Sequence, residues 1–384
     1  MVPLLVLAHF AHHLLNALPI PLLPFIRDDF ALDYTQAGLV VLAFSLSYGI
    51  AQLPAGWLAD RIGPRILLTI GIGGVALAGL LVGLSQTYVM TIVFLVLMGV
   101  AGGGYHPSAT PLVSSSVEPK NQGRALGFHQ IGGSGSFFLA PLIAAAIAAY
   151  WGWRAPFIVL AIPTALFAVM LYVFLGRRPE TSRIPKATPE SHDKTRSLSS
   201  YLPHLAAFMG LSTFTQAVLR SVITFIPLFM VDHFGVDEAA AAAFLSILYS
   251  AGLWAGPLGG HMSDRLGKVQ VVVIACLITG PLIYLLNLVS YGPGIGALLL
   301  SIGVVMYIRM PASESYIISQ TPEHLRSTVL GIYYFASMEG GAILAPVMGS
   351  FIDRFGFYSS FTVAAIAIVA VTLTCAAFLW RIRD

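Results

Sequence analysis

Charge is what this chain has least of: 10% of its 384 residues are Asp, Glu, Lys or Arg, against about 25% in an ordinary soluble domain. Two water-facing domains cannot be clothed with so few ionic side chains, so a lipid environment is implied. Only two cysteines occur, Cys276 and Cys375, both inside apolar runs. That excludes a disulfide framework or a cysteine-based zinc fold, and both read as small buried hydrophobes. The net charge of +3 comes from basic residues scattered over short segments, which leaves no continuous cationic face for nucleic acid. Gly71-Ile72-Gly73-Gly74 and Gly102-Gly103-Gly104 are not followed by Lys-Ser or Lys-Thr, so neither is a phosphate loop. Both are expected inside continuous apolar helices, as points of close packing. Gly133-Ser134-Gly135 has no strand before it to make a nucleophile elbow. The first apolar run begins at Val2 with no basic segment before it and no small-residue cleavage site after it. It reads as a retained span.

What the chain does have is apolar sequence, 57% of it, in runs of the ~20 residues that cross a bilayer. Six runs lie at roughly 3–26, 35–58, 66–84, 88–113, 125–150 and 157–175, and six more at 202–230, 239–260, 269–290, 295–318, 328–351 and 359–380. The expectation is an all-α integral membrane protein of twelve transmembrane helices in two six-helix bundles, residues 1–176 and 201–384. The one long polar stretch, 177–200, carries Arg177, Arg178, Arg183, Lys186, Lys194 and Arg196 among Pro, Ser and Thr, the composition of a solvated linker. Of the twenty basic residues, Arg27, Arg154 and Arg354 fall on one face and Arg220 and Arg309 inside spans; the remaining fifteen share the other face. By the positive-inside rule that face is cytoplasmic, with both termini on it.

The halves repeat. Gly56-Trp57-Leu58-Ala59-Asp60-Arg61-Ile62-Gly63 returns as Gly260-His261-Met262-Ser263-Asp264-Arg265-Leu266-Gly267, an offset of 204 residues, and the same offset carries Pro107 to Pro311 and Gly127 to Gly331. Paired halves let a site open to either side by rocking. The Gly-x-x-x-Asp-Arg-x-Gly loops, extended by Arg65 and Lys268, resemble the cytoplasmic loop signature of the major facilitator superfamily, over essentially the whole chain. The resemblance implies that fold, transport by alternating access, and no cofactor. It also implies an inner-membrane monomer with a central cavity lined mainly by spans one, four, seven and ten. In the loops Asp60 can cap a helix or pair with an Arg, while Gly56 and Gly63 permit close approach and a turn. Gly260, Asp264, Arg265 and Gly267 are their counterparts.

Within the superfamily, His12-His13-Leu14-Leu15-Asn16, Tyr105-His106-Pro107 and Gly127-Phe128-His129-Gln130-Ile131-Gly132-Gly133 resemble the fosmidomycin-resistance branch. That resemblance implies efflux of a drug or small anion driven by protons; related branches carry sugars, carboxylates and siderophores, so the alternative is an organic-anion or metabolite uptake symporter or exchanger. The fourth span has Leu95 where many proton antiporters of the superfamily carry a buried Arg, and Gly135–Pro141 matches their glycine-proline motif only loosely.

Ionisable residues inside spans mark function, because a charge at the bilayer centre is expensive. Arg220 and Arg309 are expected to attract an anionic or zwitterionic solute, since guanidinium offers forked donors to paired oxygens. The alternative is a structural bridge from either Arg to Glu339. Glu339, with Glu314, is the expected proton carrier. His13, Asn16, Tyr105, His106, His129, Gln130, Gln216 and Tyr333 complete the expected solute contacts. His9 and His13, at i and i+4, have a spacing that suits a transition metal. No Asp, Glu or Cys joins them in that span, so hydrogen bonding to neighbouring helices is the expected role and no metal is assigned. A membrane enzyme lacks an assembled nucleophile or metal constellation, and a receptor reading lacks a signalling domain.

Overall fold

The computed structural model describes residues 1–118, 121–176, 198–322 and 325–379, and every regular element among them is helical. The predicted linker lies almost wholly outside the described residues. Helices fall in the order α1 (Val2–Asn16), α2 (Leu23–Phe30), α3 (Tyr34–Ile62), α4 (Pro64–Leu84), α5 (Tyr88–Gly102), α6 (Tyr105–Ser115), α7 (Gln122–Trp151) and α8 (Arg154–Gly176). After these come α9 (Leu198–Phe234), α10 (Glu238–Ser250), α11 (Ala255–Leu266), α12 (Lys268–Leu285), α13 (Pro293–Gln320) and α14 (Arg326–Leu379).

With α5 and α6 taken as one stretch, nine among the described residues are long and apolar enough to cross a membrane, ten when the pair α10–α11, bent by 45°, is counted as one. Two facts raise ten to twelve. The 51-residue, predominantly apolar stretch within α14 would run about 77 Å as one helix, more than twice the ~30 Å of bilayer hydrocarbon, and α14 is two helices joined at Gly356 (φ 73°, ψ 173°). The first span is α1, too short alone, continued by α2 after a turn holding Pro19 and Pro21, whose missing N–H groups cannot extend a helix. The fourth span, Tyr88–Ser115, keeps right-handed helical angles at Gly103 and Gly104 between α5 and α6, so the helix loosens at the triple glycine without breaking, as expected. Pro107 offers no N–H to the carbonyl of Gly103, so one rung of the ladder is absent there.

The 204-residue repeat runs deeper in the backbone than in the sequence. Gly63 (φ 85°) precedes α4 and Gly267 (φ 94°) precedes α12, and both hold extended positive-φ geometry that only glycine adopts cheaply. Gly152 (φ 74°), between α7 and α8, has its counterpart at Gly356 (φ 73°). Gly99 brings α5 against the carbonyl of Phe44 on α3, and Gly303 brings α13 against the carbonyl of Leu248 on α10, again 204 residues apart. One fold unit has thus been used twice.

Two compact units result. The first comprises residues 1–32, 39–191 and 236–246, the second 33–38, 192–235 and 247–384. In the first, Leu5, Ala8, Leu68, Ile72, Tyr105 and Leu171 are among the side chains packed as core. In the second, Phe208, Leu211, Val272, Cys276, Tyr316 and Tyr333 do this work. Large apolar side chains such as Leu53, Leu77, Val89, Leu166 and Ile366 are exposed, as a lipid-facing surface requires. Within the second unit, the Asp353 carboxylate accepts from the backbone N–H groups of Tyr34 (2.9 Å) and Thr35 (3.0 Å) and from Thr35 Oγ1 (2.6 Å), satisfying donors at the start of α3.

Candidate functional site

Polar side chains gather at one place in each unit. In the first unit, α1 carries His9, His12, His13 and Asn16 at i, i+3, i+4 and i+7, the spacing of a single helical face. Tyr48 of α3, Tyr105 and His106 of α6 and His129 of α7 meet that face. His9 Nδ1–H donates to the His129 carbonyl at 2.8 Å, and His129 Nδ1–H donates to the Leu5 carbonyl at 3.0 Å. A carbonyl can only accept, so both rings carry the proton on Nδ1. Their rings stack at 4.2 Å. His12 Nε2 lies 3.2 Å from both Tyr48 Oη and Asn16 Nδ2, and the His12 ring stacks on Tyr105 at 4.2 Å. His13 Nε2 and His106 Nε2 face each other at 3.3 Å.

Several polar atoms of this cluster are buried with no partner: His12 Nδ1, His13 Nδ1, Asn16 Oδ1, Tyr105 Oη and His129 Nε2. Native interiors leave few such atoms, because each costs about 1–3 kcal/mol. Their concentration in one place is the mark of a site that awaits a ligand.

In the second unit, Arg309 of α13 is 2% exposed. Its Nη1 donates to the Ser212 carbonyl at 2.9 Å and to Ser212 Oγ, and its Nη2 donates to Gln216 Oε1. Ser212 Oγ is also 2.9 Å from Ser313 Oγ and 3.1 Å from Tyr333 Oη. At about 1.5–3 kcal/mol each, charge-assisted hydrogen bonds offset much of the cost of burying a guanidinium. All three acceptors are neutral, so the positive charge itself stays uncompensated. Arg220 Nε and Glu339 Oε2 are buried without hydrogen-bond partners. Glu339 is within electrostatic reach of Arg220, yet no ion pair of Glu339 with either arginine forms among the described residues, so the structural-bridge alternative is not what this conformation uses. Glu314 receives a hydrogen bond from Tyr334 and keeps Oε1 without one.

Of the expected solute contacts, His13, Asn16, Tyr105, His106 and His129 come together in the first unit, and Gln216, Arg309 and Tyr333 in the second. Gln130 does not join: one residue beyond His129, it is exposed. Sequence reasoning passed over His12, Tyr48, Ser212 and Ser313. His12 was visible as a member of the α1 face, but the others are supplied by helices distant in sequence. In the loops, Arg61 lies over the Trp57 ring at 4.1 Å. Arg65 donates to the Tyr172 carbonyl at 3.0 Å and sits 4.0 Å over its ring. Asp264 and Arg265 are exposed. The surroundings of Gly56 and the side chain of Asp60 lie outside the described residues. A separate groove of about 480 Å³ between α3 and α5, lined by Leu39, Leu42, Leu46, Ile50 and Val96 among others, has no charged residue and suits no polar solute.

Comparison with known proteins fits this architecture. The Major Facilitator Superfamily model matches residues 5–346 and 206–384. A probable sulfoacetate transporter of Cupriavidus necator is 28% identical over 262 residues, 64% of this chain and 60% of that protein, so the match spans less than two thirds of that relative's length. The multidrug resistance protein MdtG of Enterobacter lignolyticus is 26% identical over 341 residues, 87% of this chain and 80% of that one. In fold, the chain is similar to a bacterial homolog of the human lysosomal transporter Spinster, with a TM-score of 0.82, 17% identity, and 99% of this chain and 95% of that one covered. Twelve spans, a duplicated half and a family model spanning both halves lead to one conclusion: this chain is a multi-pass membrane transporter of the Major Facilitator Superfamily, not an enzyme.

Proposed function

We propose that the chain is a secondary active transporter for a small anionic or zwitterionic organic solute, exported across the inner membrane by alternating access and coupled to protons. The observation that carries this reading is Arg309, a buried guanidinium whose acceptors are all neutral. In a low-dielectric interior such a charge draws a carboxylate, phosphonate or sulfonate strongly. Arg220, with its unpartnered Nε, offers a second donor in the same unit. The similarity to a sulfoacetate transporter agrees in chemistry, because sulfoacetate carries two anionic groups. Export is supported by the similarity to a multidrug resistance protein and by the histidine-containing segments that resemble the fosmidomycin-resistance branch.

Glu339 is the proposed proton carrier, since a buried carboxyl near an arginine changes its affinity for a proton as an anion comes and goes. Glu314 is the second candidate. The positive-inside count supports cytoplasmic termini, and a monomer is the proposed working unit, with halves at 1–176 and 201–384 joined by 177–200. The Asp-Arg loops are proposed to bias the equilibrium between inward and outward states.

The test is counterflow and pH-jump fluorescence in proteoliposomes with a panel of small carboxylates, sulfonates and phosphonates. Anion-dependent proton movement that is lost in Glu339→Gln, with anion binding retained, is the expected result. Equal transport of neutral and cationic analogues would sink the anion reading. Anion flux without proton movement would leave an exchanger or uniporter.

A further inference from the structure

His9 belongs to no step of the anion reading, and the geometry it makes with His13 and His106, two of the expected solute contacts, suits a different ligand. The three rings form a nearly equilateral triangle, with centroids 4.9, 5.3 and 5.3 Å apart. One ligating nitrogen from each lies within 4.8 Å of the other two. Two nitrogens bound to one tetrahedral Zn²⁺ at about 2.0–2.1 Å sit about 3.3–3.4 Å apart, and His13 Nε2 and His106 Nε2 are 3.3 Å apart. His9 needs a shift of roughly 1–2 Å to complete that tetrahedral edge, which a side-chain torsion supplies.

We infer that His9, His13 and His106 form a three-histidine site for a divalent transition-metal ion of the zinc class, tying α1 to α6. Three further observations favour it. First, the His9 Nδ1–H donates to the backbone carbonyl of His129, which leaves Nε2 with its lone pair. That carbonyl is the outer-shell partner by which metal-binding imidazoles are usually oriented. Second, two Nε2 atoms facing each other can share at most one N–H, whereas an ion uses both lone pairs at once. His12 Nε2, by contrast, is held by Tyr48 and Asn16. Third, His13 and His106 are only partly buried, so an ion has a way in, and the fourth coordination position is left for water or an anionic donor.

The ligand set fixes the class of ion. Three imidazoles suit Zn²⁺, Co²⁺, Ni²⁺ and Cu²⁺, while Mg²⁺ and Ca²⁺ prefer oxygen donors. The inference stands apart from the anion proposal, because it is read as metal binding to purified protein and needs no transport assay.

Full-length protein in detergent is titrated with Co²⁺, whose tetrahedral complexes absorb visible light far more strongly than its octahedral ones, and then with Zn²⁺ as competitor. The expected result is an intense band saturating at one equivalent, displaced by Zn²⁺, unaffected by excess Mg²⁺ and retained in His261→Ala, an exposed histidine of α11. His13→Ala and His106→Ala are each expected to weaken binding by about 100-fold or more, at least the top of the range for losing an outer-shell partner. His106→Cys, which keeps a ligand, should restore the band with a sulfur charge-transfer feature, and it serves if the alanine variant does not fold. A wild-type protein that gives only the weak octahedral spectrum overturns the inference. So does tight binding that survives in the His13→Ala, His106→Ala double variant.

Discussion

His12 stacks on Tyr105 in the first unit, and Gln216 accepts a hydrogen bond from Arg309 in the second; each residue of one pair stands 204 positions from its counterpart in the other. The correspondence extends to Asn16 and Arg220, and to His129 and Tyr333. Duplication has kept the positions at which polar groups meet while replacing what the groups are. The first unit holds imidazoles, which are ligands and proton donors or acceptors; the second holds guanidinium groups, which are permanent cations. His9, His13 and His106 correspond to Thr213, Ala217 and Met310, none of which can complete a metal triad. The scaffold is therefore shared and the chemistry is divided between the halves.

The largest test of that division is Arg309→Ala. Losing charge-assisted bonds of about 1.5–3 kcal/mol predicts a fall in anion counterflow of about 10–100-fold, with Co²⁺ binding in the first unit unchanged. A matching loss of metal binding would mean that the clusters are not separable. Next comes the shared scaffold. A methyl group at Gly99 or Gly303 would collide with the backbone of α3 or α10 respectively, so Gly99→Ala and Gly303→Ala should each destabilise by about 1–3 kcal/mol, read from thermal unfolding in detergent. Strongly unequal effects would break the equivalence of the two contacts.

His12→Gln gives the first unit the residue that the second already has. Since His12 Nε2 is engaged by Tyr48 and Asn16 and not by the triad, Co²⁺ affinity should change by less than about 10-fold, in contrast to His13→Ala. The smallest effect belongs to the loops: Arg61→Ala removes one cation–π contact with Trp57, worth about 0.5–1 kcal/mol at an exposed site, and unfolding should shift only slightly.

Much of the fold was legible because lipid imposes long apolar runs, and because the repeated Asp-Arg loops sit where positive-φ glycines must. Gly152 and Gly356 escaped notice, since a lone glycine carries no side-chain pattern to align. The broken first span was hidden by uninterrupted hydropathy, although Pro19 and Pro21 had already removed the necessary N–H groups. The site was legible in kind but not in grouping. His9 and His13 could be paired by helical spacing, whereas their third neighbour, His106, lies 93 residues from His13 and only packing of α1 on α6 brings it near. Arg309 was recognised as costly, yet one serine and a glutamine, in place of a carboxylate, hold it.

Both thiols of the molecule, Cys276 and Cys375, fall in the second unit, so the first is naturally free of sulfhydryl groups. A single cysteine engineered there would be the only one in its half, and Cys276, being buried, would compete poorly for a maleimide. Site-directed spin or fluorophore labels could then be installed on the histidine-bearing half with only Cys375 to replace, making the chain close to a ready-made host for distance spectroscopy.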